Sequence, residues 1–396
     1  MVAFDDIVIG SGLTALGAVL GLSERKRVLV LGGKAMGSFS HYDQRATVPC
    51  AFDGLGGLGG FWHGVIPVNQ PAGYEGTDAD AFASLFARHF PQAKISRWLG
   101  QPALFVPWRP IRPATEVQAL ASARGDMLRI APEQADTIRI EDSGVSVSTA
   151  SATYRAQRVW VAAGAVHTPG LMVRSFGNSL RRTHISDHVL CYVGQVDAVS
   201  APRPQRTPNG MYFPAHHSAD GQVLYTLRPA RFSFRTLDHG IEQRAAFGLP
   251  TGGAIAKIMR SVSPGLLAEA FYNRFGLFPA AARYSIYAQS ACDAAYALGE
   301  GPHPLEAQMD RIQATARQAR LAQPFPGARL SQREDLYIPG IHLHHSLNLD
   351  ALSRQGLSSA DSPVQVVDPS ALAHIGPGHH SFKAMCLAYS KARRLG

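Results

Sequence analysis

The chain has 396 residues, 46% hydrophobic and 17% charged, with a formal net charge of +9. That length buries a substantial core, and that composition excludes a disordered chain. Its 38 Gly and 26 Pro follow no period, which excludes a fibre and points to many tight turns and long loops. The four cysteines (Cys50, Cys191, Cys292, Cys386) lie far apart with no C-x-x-C pair, against a zinc ribbon or a disulfide scaffold. The positive balance favours acidic partners. The basic residues are scattered and accompany no nucleic-acid motif, so nucleic acid is not expected.

The opening "MVAFDDIVIG" carries acids where a secretory leader carries lysines. No export signal is therefore expected, and a cytoplasmic location is. "DDIVIGSGLTALGAVLGL" predicts a buried strand, a glycine turn and a helix, and "KRVLVLGG" predicts a second buried strand ending at Gly32. Such a strand–turn–helix–strand unit opens a Rossmann-type nucleotide-binding fold. Residues 50–115 are rich in loops, with "GLGGLGGFWHG" and the proline-punctuated "FVPWRPIRPA". From 126 to 162 the chain reads as short strands, and "VSVST" suits a half-exposed meander. Residues 190–335 are the least regular. They hold strand-like "QVLYTL" and "RYSIYAQS", a charged helix, and an apolar stretch broken by Lys257, Arg260, Pro264 and Glu269. That stretch is too interrupted to span a bilayer and leaves peripheral membrane contact open. A strand, a loop and a helix from about Ser381 close the chain.

The first motif with chemistry is Gly10-Ser11-Gly12-Leu13-Thr14-Ala15. Gly10 permits the tight turn, Gly12 lets backbone N–H groups approach a pyrophosphate, and Ala15 lets the helix pack close to the sheet. The acid that would bind a ribose at the end of the second strand is missing, with Gly32 in its place. Lys34 nearby would also suit a phosphorylated ribose, which keeps an NADP-dependent dehydrogenase among the alternatives.

"RVWVAAGAVHTPGLMVRS" (158–175) resembles the glucose–methanol–choline flavin oxidoreductases, whose corresponding strand ends "LAAGAIETPRLLLLSG". Four further stretches match in order. "GGLGGFW" resembles the family's flavin-contacting Gly-Gly loop, and "ISDHVL" its "LQDH" segment. "HLHHSL" falls at its "H-x-x-G-T" stretch, and "VVDPSALAHIGPGHHSFKAMCLA" resembles "VVDASVFPTSGGVNPTLTIMALA". The resemblance implies an α/β fold in two domains. Residues 1–65, 125–190 and 338–396 would form a Rossmann-type FAD-binding domain, a parallel sheet with a β-meander. Residues 66–124 and 191–337 would form a smaller α+β substrate domain.

The implied reaction is oxidation of a CH–OH group, with a base taking the hydroxyl proton and FAD accepting the hydride. The register puts His379 on the family's second position and His380 on its proline, while His342 falls on the first, with His344 and His345 as alternatives. The implied cofactor set is Gly10 to Ala15, Gly56, Gly57, Trp62, Ala135, Ala163, Gly164, Asp368, His379 and His380. FAD is expected to be non-covalent, because Phe61 stands where covalent members carry a histidine and His63 follows the tryptophan. No metal is expected: H-x-H-H offers two ligands, but no carboxylate or thiolate sits at ligand spacing. His188 beside Asp187 reads as a structural pair. His167, His184, His216 and His217 read as ordinary polar residues. Trp108, Arg109 and Arg112 either line the substrate side or form a surface loop. The expected partner is a small-molecule or carrier-bound alcohol, with anionic character suited to the positive charge. The alternatives are a tailoring enzyme with redox-neutral or altered chemistry on the same scaffold, and a nucleotide-binding protein without catalysis.

Overall fold

The computed structural model describes residues 3–42, 49–62, 65–67, 77–89, 94–98, 101–105, 112–202, 205–207, 210–212, 216–221, 223–229, 283–290, 294–298, 305–332, 337–375 and 380–396. His379, Trp108, Arg109 and His63 lie outside them.

In strand β1 (Ala3–Ile9), Ile7 and Ile9 join one hydrophobic layer and Val8 joins the other. The next strand, β2 (Val28–Leu31), is buried along its whole length. Continuous apolar strands of this kind belong to parallel sheets covered on both faces. β2 pairs in parallel with β1 and with β3 (Leu128–Ala131). A meander follows: β4 (Ala135–Glu141), β5 (Gly144–Thr149) and β6 (Thr153–Val161). β6 returns to pair in parallel with β1. Its other edge is divided. Its start pairs antiparallel with β5, and Val159–Val161 pairs in parallel with β7 (Val364–Val366). The sheet order is β3-β2-β1-β6-β5-β4, with β7 on β6, the mixed parallel-and-meander arrangement expected from the sequence.

One face is covered by helices α1 (Leu13–Gly21), α2 (Ala79–His89) and α3 (Pro113–Arg124), and by the C-terminal α6 introduced below. The other face packs the meander and α4 (Gly164–Phe176), through Leu171 and Met172. A second, antiparallel sheet places the strand Arg283–Ser290 between Val189–Asp197 and Val223–Pro229. Helix α5 (Met309–Leu321) packs against it, and Tyr225 donates a 2.7 Å hydrogen bond to the Ala319 carbonyl. Among the described residues no helix is long and apolar enough to cross a membrane.

The closing helix, α6 (His380–Leu395), lies directly on α1. The approach is so close that a Cβ on Gly17 would stand 2.4 Å from the Met385 carbonyl oxygen, and one on Gly21 2.4 Å from that of Tyr389. This contact carries the last segment of the chain back to the first and sets where α6 begins. Gly17→Ala is expected to force the two helices apart and destabilise the protein by about 1–3 kcal/mol. Chemical denaturation checks this, and an unchanged midpoint would show that the contact can give.

Candidate active site

The C-terminal ends of β1, β2 and β6 open onto a cavity of about 590 Å³, lined there by Ile9, Leu31 and Ala162. Ligands of open α/β sheets gather at this end. Gly10 turns with φ +115°, and a Cβ on it would meet the Ala162 carbonyl at 2.2 Å, so only glycine fits. Beyond the turn the backbone is open. A Cβ on Gly12 would have no neighbour nearer than 3.7 Å, and one on Gly164 none within 4 Å. Gly57 is open in the same way, with its nearest neighbours at 4.0 Å. With the N-termini of α1 and α4 these form a cradle suited to an anionic diphosphate, so the residues present fit a dinucleotide cofactor.

Of the expected cofactor set, Gly10 to Thr14, Gly57, Trp62, Ala135, Ala163, Gly164 and His380 line the cavity. Three others do not, and each has a different task. Ala15 is buried between helix and sheet. Gly56 donates its N–H to Ser11 Oγ at 2.8 Å, and that hydroxyl donates in turn to the Gly32 carbonyl at 2.5 Å. Asp368 is buried and accepts from the N–H of Gly164 (2.8 Å) and Ser370 (2.9 Å) and from the Thr168 hydroxyl. It fixes the start of α4 and leaves the cavity wall to Pro369. A Cβ on Gly32 would stand 2.4 Å from Leu55 Cδ2, the end of a half-buried side chain.

The other end of the cavity is built by an interrupted ladder. Pro339 pairs with Val189, Gly340 N–H bonds the His188 carbonyl at 2.8 Å, and His344 exchanges two 2.9 Å bonds with Ser186. Five residues, 340–344, thus face three, 186–188, and the surplus is thrown out as a bulge. The Asp187 carboxylate takes the N–H groups that the bulge frees: Ile341 at 3.1 Å and His342 at 2.9 Å. It also accepts from the N–H of His188 (2.9 Å) and the hydroxyl of Tyr42 (2.6 Å). Burial raises its pKa to about 6 against the pull of those bonds.

The bulge delivers His342 to the cavity, where it meets His188 and His380. The three rings are mutually equidistant, each pair of centroids 4.7 Å apart. His342 Nδ1 lies 2.9 Å from His188 Nε2, and Gln289 Nε2 lies 3.0 Å from both His188 Nε2 and His380 Nε2. Burial holds His188 well below the usual imidazole range, with the neighbouring rings adding to it. Burial also lowers His342 to about 4, opposed by a backbone hydrogen bond of Gly340.

His344 and His345 do not reach the cavity. His344 is fully buried behind it, its Nδ1 3.1 Å from the His342 carbonyl, and the half-buried His345 turns with φ +51° beside Arg182. Two participants were not assigned to the site from the sequence. His188, read as a structural partner of Asp187, touches both other rings, and Gln289 lies in a strand without a motif. Nothing in the sequence marks Gln289. The doublet Asp187-His188 did carry a signal, but only its acid is the structural member.

A solved structure, pyridoxine 4-oxidase from Mesorbium loti, aligns with 98% of this chain and 98% of its own, at a TM-score of 0.55 and 13% identity. The two chains share a fold. It is the fold that the family resemblance implied. A thioredoxin reductase from Gloeobacter violaceus aligns over 42% of this chain and 38% of its own, at 11% identity and a TM-score of 0.22, which carries no argument. No family model matches the chain. No curated protein matches it.

One nitrogen from each of His188, His342 and His380 lies within 4.8 Å of the others, a spacing that would admit an ion. His188 Nε2, His342 Nδ1 and His380 Nε2 already bond one another or Gln289, so a metal on these three atoms would have to displace three hydrogen bonds. Elemental analysis of the purified protein is expected to find no stoichiometric transition metal, and one equivalent of zinc or copper would overturn that expectation. The protonation of His342 has a direct thermodynamic consequence. Between the ordinary imidazole value near 6.5 and about 4, the unfolded chain binds a proton that the folded ring refuses. His342 therefore withdraws stability as pH falls through that window. The stability of the wild type relative to His342→Gln is expected to fall by about 2 kcal/mol between pH 7.5 and 4.5. Parallel pH dependence of the two denaturation curves would contradict this.

Proposed function

We propose that this chain is an FAD-dependent oxidoreductase that oxidises the CH–OH group of a small-molecule or carrier-bound alcohol. One observation carries the reading: a single cavity has an open-backbone cradle at one end and, at the other, the half-buried ring of His342 beside the buried ring of His380. The shared fold supports it, since the neighbour is named as an oxidase of pyridoxine. Flavin, when bound, supplies the acceptor for the hydride that leaves the alcohol carbon. Gly10 to Thr14, Gly57, Ala163 and Gly164 would hold it, non-covalently.

His342 takes the hydroxyl proton. With its pKa lowered to about 4 it is unprotonated at neutral pH and ready to act as a base. His380, the first residue of α6, is the second ring beside the alcohol oxygen and takes the part that the sequence register gave to His379. Lys34, the residue that motivated the NADP alternative, has its Nζ 2.7 Å from Asp53 in an exposed ion pair.

The purified protein, as isolated or after addition of FAD, is expected to be yellow, and anaerobic mixing with a panel of alcohols is expected to bleach the flavin band. His342→Gln should keep its flavin and slow bleaching by at least about 100-fold. A protein that stays colourless with added FAD would sink the flavin reading. Bleaching at the wild-type rate in the variant would remove His342 from the base's role.

A further inference from the structure

Gln289 enters the site from the second sheet, on the strand Arg283–Ser290 between Leu190 and Leu224. Its amide nitrogen carries two protons and no available lone pair, so it can only donate. Nitrogen atoms that take its hydrogen bonds must therefore be unprotonated. Those atoms are His188 Nε2 and His380 Nε2, each at 3.0 Å. A neutral imidazole holds one proton, so both rings carry theirs on Nδ1. His188 Nε2, now an acceptor, also faces His342 Nδ1 at 2.9 Å. That contact is a hydrogen bond only if His342 Nδ1 donates. The one proton of His342 is then spent on His188, and its Nε2 keeps a lone pair.

From this chain of donors and acceptors we infer that Gln289 is a positioning residue that sets the proton map of the histidine cluster, so that His342 meets the cavity as a base. The inference rests on the proposed alcohol oxidation for its use, though not for its geometry. The opposite map is chemically available. With an acceptor in place of the amide nitrogen, His188 Nε2 and His380 Nε2 would be protonated. His188 would donate to His342 Nδ1, and His342 would carry its proton on Nε2, as an acid. The observed map has a cost at His188, whose Nδ1 is buried with no hydrogen-bond partner among the described residues. The bonds that His188 Nε2 accepts from Gln289 and His342 offset it, and without the Gln289 donor the proton gains by moving to Nε2. Among the described residues, the other titratable groups facing the cluster are Asp187, Tyr42 and His344. Asp187 spends its oxygens on backbone N–H groups and Tyr42, and His344 is turned to the His342 carbonyl. None of these titratable groups supplies a competing acceptor to the rings, and the backbone hydrogen bond of Gly340 to His342 likewise favours a protonated nitrogen on that ring.

Nitrogen-15 NMR of the holoprotein labelled at histidine tests the map directly, with His342 assigned by its disappearance in His342→Gln. In the wild type, Nδ1 of His342 is expected in the protonated range and Nε2 in the unprotonated range. The two should exchange places in Gln289→Glu, which can only accept, and should average or exchange in Gln289→Leu. Flavin content should be unchanged in both variants. The kcat of Gln289→Glu should fall about 100-fold while KM stays within about threefold, since the base is lost and the pocket is not. A protonated Nε2 in the wild type overturns the inference, as does an unaltered map in either variant. If neither variant folds, the wild-type spectrum alone decides. The map is read without substrate, so a wild type that shows it yet oxidises no alcohol refutes the proposed function and leaves the map standing. Alcohol oxidation with the opposite map refutes only the role of Gln289.

Discussion

Asp187 brings a carboxylate to a position with no solvent exposure, where an unsatisfied charge would cost several kcal/mol. Its four donors are the Tyr42 hydroxyl and the N–H groups of His188, Ile341 and His342. Two of these donors exist only because the ladder between residues 186–191 and 337–344 is broken at that point. The bulge and the carboxylate therefore complement each other: one frees N–H groups inside the protein, and the other takes them. Ile341 shows how firmly the arrangement is held. A β-branched residue at φ +60° is strained, and such a conformation persists only where its surroundings over-determine it.

The rest of the site hangs on that knot. His188 and His342 flank the carboxylate on separate segments and are brought within 2.9 Å of one another. Gly340 completes the fit, since a Cβ there would stand 1.9 Å from the His188 ring. The third ring arrives by an unrelated route, at the start of a helix whose position is set by the glycine contacts of α1. The cavity thus joins two independent constructions. Its cradle belongs to the parallel sheet and the first helix turns. Its imidazole end belongs to an irregular ladder between the sheets.

That division explains what was legible in the sequence. The strands β1 and β2, the glycine turn and the meander depend on local periodicity and on backbone conformations that only glycine adopts, and they could be read directly. The histidines could not. "HLHHSL" left three candidates open, because the positive φ values of Ile341 and His345 break the alternation by which a strand would sort them. The register of "GHHSF" against a family motif marked His379, which lies outside the described residues, and put His380, a ring that meets His342, on a proline position. Gln289 is one polar residue in an antiparallel strand, and its importance comes wholly from two long-range contacts.

A histidine that is to accept a proton is commonly oriented by a carboxylate, which also raises its proton affinity. Here a carboxylate lies next to the cluster in sequence and in space, yet bonds no ring. Its oxygens are saturated by backbone N–H groups and a tyrosine, so it fixes where His188 and His342 stand without binding their protons. Orientation of the rings falls instead to neutral partners, other imidazoles and an amide. A neutral partner can decide which nitrogen holds the proton while leaving the proton affinity low, so that burial sets the value near 4 for His342. Position and proton affinity are thereby controlled by different groups: Asp187 places His188 and His342, and the neutral cluster around them governs their protons.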